Sequence, residues 1–359
     1  MLLKYNTNKI NMKHFLSFKV WLLMLLAFSF IEANACTRLV YKGKDRLILT
    51  ARSMDWKEDI QSNIWVFPRG MKKSGETGKN TLTWVSKYGS VIASAYDIAS
   101  TDGMNEKGLV ANLLWLAESE YPSWTKEKPG LTIAAWVQYV LDNFATVQEA
   151  VDAMQSGTFQ IVSDKMPDGS RMATLHLSVS DAQGDNAIFE YIKGNLVIHH
   201  DPAYVVMTNS PTYDEQLALN KYWENIGGLV FLPGTNRAAD RFVRASYYVD
   251  VIPKNVNSNI ATASVFSVIR NVSVPFGIST PNEPNISSTR WRTVSDQLNL
   301  IYYFESTLYP YIFWVDLKDF DFSVDKQVYK LDLTNEAIYS GNVYDDLLVN
   351  KPFQFLGID

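Results

Sequence analysis

A single cysteine, Cys36, stands in a chain of 359 residues, and its position limits how the fold can be held together. It follows Ala33-Asn34-Ala35 at the end of the apolar run Val20 to Ile31, with Lys4, Lys9, Lys13 and Lys19 upstream. A positive region, an apolar region and a small-residue cleavage site make residues 1–35 a cleaved export signal, with Met1 or Met12 as its start. The apolar run is too short for a spanning helix, which takes about 18 residues or more, and Glu32 and Asn34 follow at once. The mature chain, 36–359, is then expected to be exported, periplasmic or secreted. One thiol permits no internal disulfide, so stability must come from a buried core.

Cleavage after Ala35 would place an α-amine and a thiol on Cys36, a general base beside a nucleophile with no histidine required. The reference pKa of an α-amine is about 7.7–8.0 and that of a thiol about 8.5, so a proton can pass between them near neutral pH. The rival reading is a lipoprotein signal, which would block the amine and make the product a lipid-anchored binding protein. Such signals normally carry Leu where this chain has Ala33.

Composition narrows the chemistry further. Without Lys4, Lys9, Lys13, Lys19 and Glu32, the 33 basic and 38 acidic residues become 29 and 37. That acidic balance opposes nucleic-acid or anionic-membrane partners. His176, His199 and His200 have no metal-ligand spacing with the lone cysteine, so no metal is expected. No P-loop or dinucleotide glycine pattern is present, and no cofactor is expected. A Cys–His pair remains open on residue types alone, although His176 lies in a strand pattern and reads as structural.

Alternation predicts strands at Thr37–Tyr41 and Arg46–Arg52, at Gly89–Ala99 and Leu109–Leu116 about a turn-rich link, and at 173–179, 187–192, 196–200 and 204–207. Helical periodicity covers Leu131–Phe144, Tyr213–Glu224 closing at Gly227, and Arg237–Val251. Thr146-Val147-Gln148-Glu149 is a capping box opening a helix that stops at Gly157. The last ninety residues return to strands, notably Leu300–Phe304 and Tyr311–Val315. Strands, then helices, then strands predict one α+β domain in which antiparallel sheets carry helices on their outer faces.

Five segments in order resemble the choloylglycine hydrolase family, which contains bile salt hydrolases and penicillin V acylases: Cys36-Thr37-Arg38, Ala51-Arg52-Ser53-Met54-Asp55-Trp56, Asp102 to Leu109, Thr208-Asn209-Ser210-Pro211-Thr212, and Leu232-Pro233-Gly234 with Asp240-Arg241-Phe242. The resemblance implies an N-terminal nucleophile hydrolase, a four-layer αββα sandwich, and a homotetramer. It also implies that Cys36, Arg52, Asp55, Asn209 and Arg241 are catalytic. Arg52 would favour the thiolate, Asp55 would accept the α-amine, and Asn209 would donate to the oxyanion. Arg241 would organise the charge around Asn209 and the nucleophile, with Arg237 and Arg244 as solvated neighbours. Each assignment has a plainer counterpart: a surface ion pair for Arg52 and Asp55, and a turn or cap for Asn209.

Where relatives carry Asn or Tyr, this chain places Trp115, whose backbone N–H alone could serve an oxyanion. Trp115 with Trp56 would form an aromatic wall for a bulky apolar acyl group, or else two core tryptophans. The expected activity is hydrolysis of a linear amide. Conjugated bile salts come first, because Asp55 to Asp59 and Ser287 to Arg292 resemble exported members from Gram-negative gut bacteria. Penicillin V is the alternative, and N-acyl-homoserine lactones come third.

Overall fold

The computed structural model describes residues 36–166, 169, 172–227, 230–279, 287–335 and 337–358. The export signal expected over 1–35 lies outside the described residues.

Two large sheets face each other. The first has seven strands in the order Val206–Met207, Thr37–Lys42, Ile48–Trp56, Ser288–Asp296, Ile301–Ser306, Ile312–Asp316 and Gly341–Asn342. Only its last pair is parallel. The second has nine, ordered Asn195–His200, Asn186–Ile192, Leu175–Ser180, Val110–Trp115, Ala99–Asn105, Ser90–Ala95, Ile64–Phe67, Tyr329–Leu331 and Leu348–Val349. Helices Ala238–Val251 and Ser258–Asn271 pack on the first sheet, and Trp136–Asn143 and Val147–Ser156 on the second. The result is the α+β, N-terminal nucleophile hydrolase architecture of four layers. Strand Ile48–Trp56 is buried at every position except its last, because a helix layer covers one face and the other sheet covers the opposite face.

Local chemistry explains most boundaries. Thr146 and Glu149 form the capping box of helix Val147–Ser156, and Gly157 closes it in the left-handed conformation at φ 60°. Thr212 and Glu215 cap Tyr213–Ile226 in the same way. Two expectations need correction. Helix Leu131–Phe144 begins only at Trp136, since Gly130–Thr132 is drawn into parallel pairing with Gln160–Val162. The expected strand Gly89–Ala99 is instead a hairpin, turned at Tyr96 and Asp97 with positive φ, where Asp97 accepts from Ser94 Oγ and Trp65 Nε1. The link after it is therefore mostly strand.

The space between the sheets is polar at its centre. Asp102 accepts from Asn112 Nδ2 at 2.6 Å and from the Tyr302 hydroxyl, while Thr50 and Ser180 join across the layers at 2.7 Å. Gln297 donates to the carbonyl of Gly108 at 2.8 Å. Gly108 has φ +75°, and a Cβ there would lie 2.6 Å from the Gln297 carbonyl oxygen, so both conformation and space require glycine. The Asp102–Leu109 segment thus locks the two sheets in the register that the site needs.

Candidate active site

Cys36 precedes strand Thr37–Lys42, in which Thr37 faces Ser53 and Arg38 faces Arg52. Side chains alternate across a strand, so parity sorts the site. Cys36, Arg52, Met54 and Trp56 point between the sheets, and Ser53 and Asp55 point toward the helices. Arg38, on the inner side, donates to Asn186 Oδ1 of the second sheet at 2.5 Å and ties the layers beside the cysteine.

On the inner side, Arg52 Nη2 lies 3.9 Å from Cys36 Sγ, 3.2 Å from Met54 Sδ and 3.2 Å from the Leu113 carbonyl. Its guanidinium carbon sits 4.6 Å from the ring centre of Trp291. Arg52 Nε and Nη1 reach no hydrogen-bond partner among the described residues. Arg52 and Asp55 are 1% and 0% exposed, which removes the surface ion-pair reading.

Asp55 does not take the Cys36 nitrogen. That nitrogen, here a backbone N–H rather than a freed α-amine, donates to Asn209 Oδ1. The Asp55 carboxylate lies on the helix side, where strand pairing sets Thr289 opposite it. It accepts from the Thr289 hydroxyl and from Ser53 Oγ at 3.5 Å, and lies 4.0 Å from Arg241 Nη1. Its backbone N–H donates to Cys36 Sγ at 3.5 Å, and the thiol donates to its carbonyl at 3.7 Å. Asp55 therefore touches the sulfur through its main chain.

Asn209 follows the short strand Val206–Met207, which pairs with Thr37–Lys42. Its Oδ1 accepts from Arg241 Nη2 at 2.9 Å as well as from Cys36 N, and its Nδ2 donates to the Trp115 carbonyl at 2.7 Å. Two donors on one side and an acceptor on the other fix the amide's orientation. A primary amide has two N–H bonds, so one remains after the Trp115 contact. Arg241, fully buried, also donates to the Cys36 carbonyl at 2.6 Å and to Thr37 Oγ1. Arg244 is not solvated: its Nη1 donates to the Pro233 and Thr235 carbonyls at 2.7 and 2.8 Å, holding the loop before the helix. Arg237 is exposed.

Burial dominates the electrostatics. It raises the Cys36 thiol above its ordinary pKa; Arg52 opposes the rise and Asp55 adds to it. Burial also raises Asp55, to about 6, against the lowering effects of Arg241 and the Thr289 hydrogen bond. The histidines sit elsewhere. His176 and His199 contact Glu190 at 3.0 and 3.4 Å, and His200 contacts Asp185 at 2.8 Å.

Trp56 and Trp115 meet at 5.9 Å between ring centres with planes tilted by 53°. With Cys36, Arg52 and Met54 they line a largely apolar pocket of about 920 Å³, part of it open to solvent. Sequence reasoning missed Thr289, Ser53 and Met54, and also Tyr96, Ile133 and Leu356–Ile358 on the pocket wall.

A model of linear amide C–N hydrolases, choloylglycine hydrolase family, matches residues 36–338. A penicillin V acylase of Pectobacterium atrosepticum is 54% identical over 352 residues, covering 90% of this chain and 93% of its own. A bile salt hydrolase/transferase of Clostridium perfringens is 30% identical, over 76% and 89% of the two chains. The structure of a penicillin V acylase from Agrobacterium tumefaciens superposes with a TM-score of 0.85 at 61% identity, covering 90% of this chain and all of that one. The chain belongs to the choloylglycine hydrolase family of linear amide C–N hydrolases, and it is an enzyme of that N-terminal nucleophile type.

Proposed function

We propose that this hydrolase cleaves the side-chain amide of penicillin V, with Cys36 as nucleophile. The observation that carries the substrate is the tilted Trp56–Trp115 pair beside the thiol, a wall that accepts a flat aryl acyl group. The 54% and 61% identities to penicillin V acylases support it. Conjugated bile salts, favoured by the sequence reading, become the second choice, supported by the 30% identity to the clostridial enzyme.

In the reading we favour, export to the periplasm removes residues 1–35 and frees the Cys36 amine, and the mature enzyme assembles as a homotetramer. The amine takes the thiol proton, and the sulfur attacks the amide carbonyl. The second Asn209 N–H, together with a backbone N–H near Trp115, holds the oxyanion. The proton then passes to the leaving nitrogen, the C–N bond breaks, and a thioester remains on Cys36. Water, deprotonated by the amine, hydrolyses that thioester. Arg52 stabilises the thiolate once substrate fills the pocket, and Arg241 fixes Asn209 and the Cys36 carbonyl. Asp55 acts through charge and its backbone contacts with the sulfur.

The test is amine release from penicillin V beside that from glycine and taurine bile conjugates. We expect kcat/KM for penicillin V at least about tenfold higher, a margin within reach of one aromatic wall. The reverse order would return bile salts to first place.

A further inference from the structure

We propose that the segment Leu356–Ile358 is the specificity-determining wall of the acyl pocket. It lines the same cavity as Cys36, Trp56 and Trp115, beside Tyr96, Ile98 and Ile133. It also lies beyond residue 338, where the family match ends, so this wall is separate from the matched catalytic frame.

The segment is fastened rather than draped. Leu356 N–H donates to the Ile98 carbonyl at 2.8 Å, Thr132 Oγ1 donates to the Leu356 carbonyl at 3.0 Å, and Ile358 N–H donates to the Glu76 carbonyl at 2.7 Å. Just before it, Phe353 packs on Trp65 with ring centres 5.3 Å apart and on Phe355 at 5.2 Å. Leu356 and Ile358 are partly buried and Gly357 is exposed, the alternation of an extended segment with one face on the cavity. A Cβ on Gly357 would come 3.3 Å from the Glu76 carbonyl oxygen, so glycine allows the close approach that seats the wall.

None of the groups assigned to bond making or proton transfer lies in this segment. Its two aliphatic side chains offer only shape and apolar contact, and what they select is the acyl group. With both in place the cavity favours a compact aryl-oxyacetyl group; shortening them makes room for a long alkyl chain.

The inference rests on the acylase reading only for its choice of reference acyl group. The experiment uses N-acylglycines sharing one amine and carrying phenoxyacetyl, octanoyl or dodecanoyl groups, so it remains informative even where penicillin V is not a substrate. Leu356→Ala and Ile358→Ala should raise the dodecanoyl to phenoxyacetyl ratio of kcat/KM by about tenfold, and Leu356→Trp should lower it. The pH dependence should stay that of the parent enzyme in all three. The ratio is independent of the fraction of folded enzyme, so partial unfolding does not mask the result. An unchanged ratio, whether activity falls equally on all three acyl groups or not at all, would make the segment purely structural and overturn the proposal.

Discussion

Asp55 carries a sharp consequence at the scale of single residues. Its carboxyl is held at about 6, and the account requires the anion beside Arg241 and Cys36. The rate should therefore rise with pH through about 6, and Asp55→Asn should be slower and lack that limb in a plot of kcat/KM against pH. Stability runs the other way. A carboxyl raised above its unfolded value of about 3.9 binds its proton more tightly in the native state. The stability it contributes is complete at low pH and is lost as pH climbs through about 6. Thermal denaturation should then find Asp55→Asn gaining on the parent at pH 7.5 relative to pH 4.

Asn209 gives a second prediction at this scale. Asn209→Ala should lower kcat by about 10²–10³, the usual cost of one oxyanion donor. An unchanged rate in steady-state assays would leave Asn209 as a bracket between Cys36 and Trp115. Motif order points to the seven residues singled out, and the structure gathers Arg52, Asp55, Asn209 and Arg241 around Cys36, while Cys36, Arg52, Trp56 and Trp115 line the pocket. Their division of labour was not legible in the sequence. Which nitrogen meets which oxygen depends on strand parity, and parity puts the Asp55 side chain on the helix side with Thr289.

Elements carry the next set of effects. Strand Ser288–Asp296 supplies Thr289 to Asp55 from 234 positions away, a pairing no local pattern encodes. Removing that hydroxyl with Thr289→Val would take a donor from a buried carboxylate, and the acid limb of the rate profile should move upward from about 6. A limb that does not move would detach Asp55 from the titration. Strand Val110–Trp115 ends at the pocket, where Trp115 is 6% exposed and tilted against Trp56. Trp115→Ala should change the ratio of penicillin V to bile-salt turnover by one to two decades, the effect of losing a few kcal/mol of aromatic contact. A large fall in melting temperature with the ratio unchanged would instead make Trp115 a core residue.

Helices with strong caps, such as Val147–Ser156 between Thr146 and Gly157, were readable because their end signals are local. Ser258–Asn271, capped by the Asn257 side chain, escaped notice. Its many Ser, Asn and β-branched residues have weak intrinsic helix preference, and packing against the first sheet decides its state. The opposite override shortened the helix expected from Leu131, whose residues pair with Gln160–Val162.

For the whole molecule, the two facing sheets work as a clamp with Cys36 at one edge of its interior. Motif order revealed the architecture, but the wall formed by Leu356–Ile358 arises only when distant segments dock, and its residues carry no pattern of their own. The central claim is that one residue supplies nucleophile and base. Mass spectrometry of the purified enzyme, quenched during penicillin V turnover, tests it most directly. The account predicts a chain beginning at Cys36 whose N-terminal peptide gains one phenoxyacetyl group as a hydroxylamine-labile thioester, and Cys36→Ala without turnover or adduct. A Cys36 amine blocked by lipid or peptide linkage in the active enzyme, or an acyl group on any other residue, would contradict it.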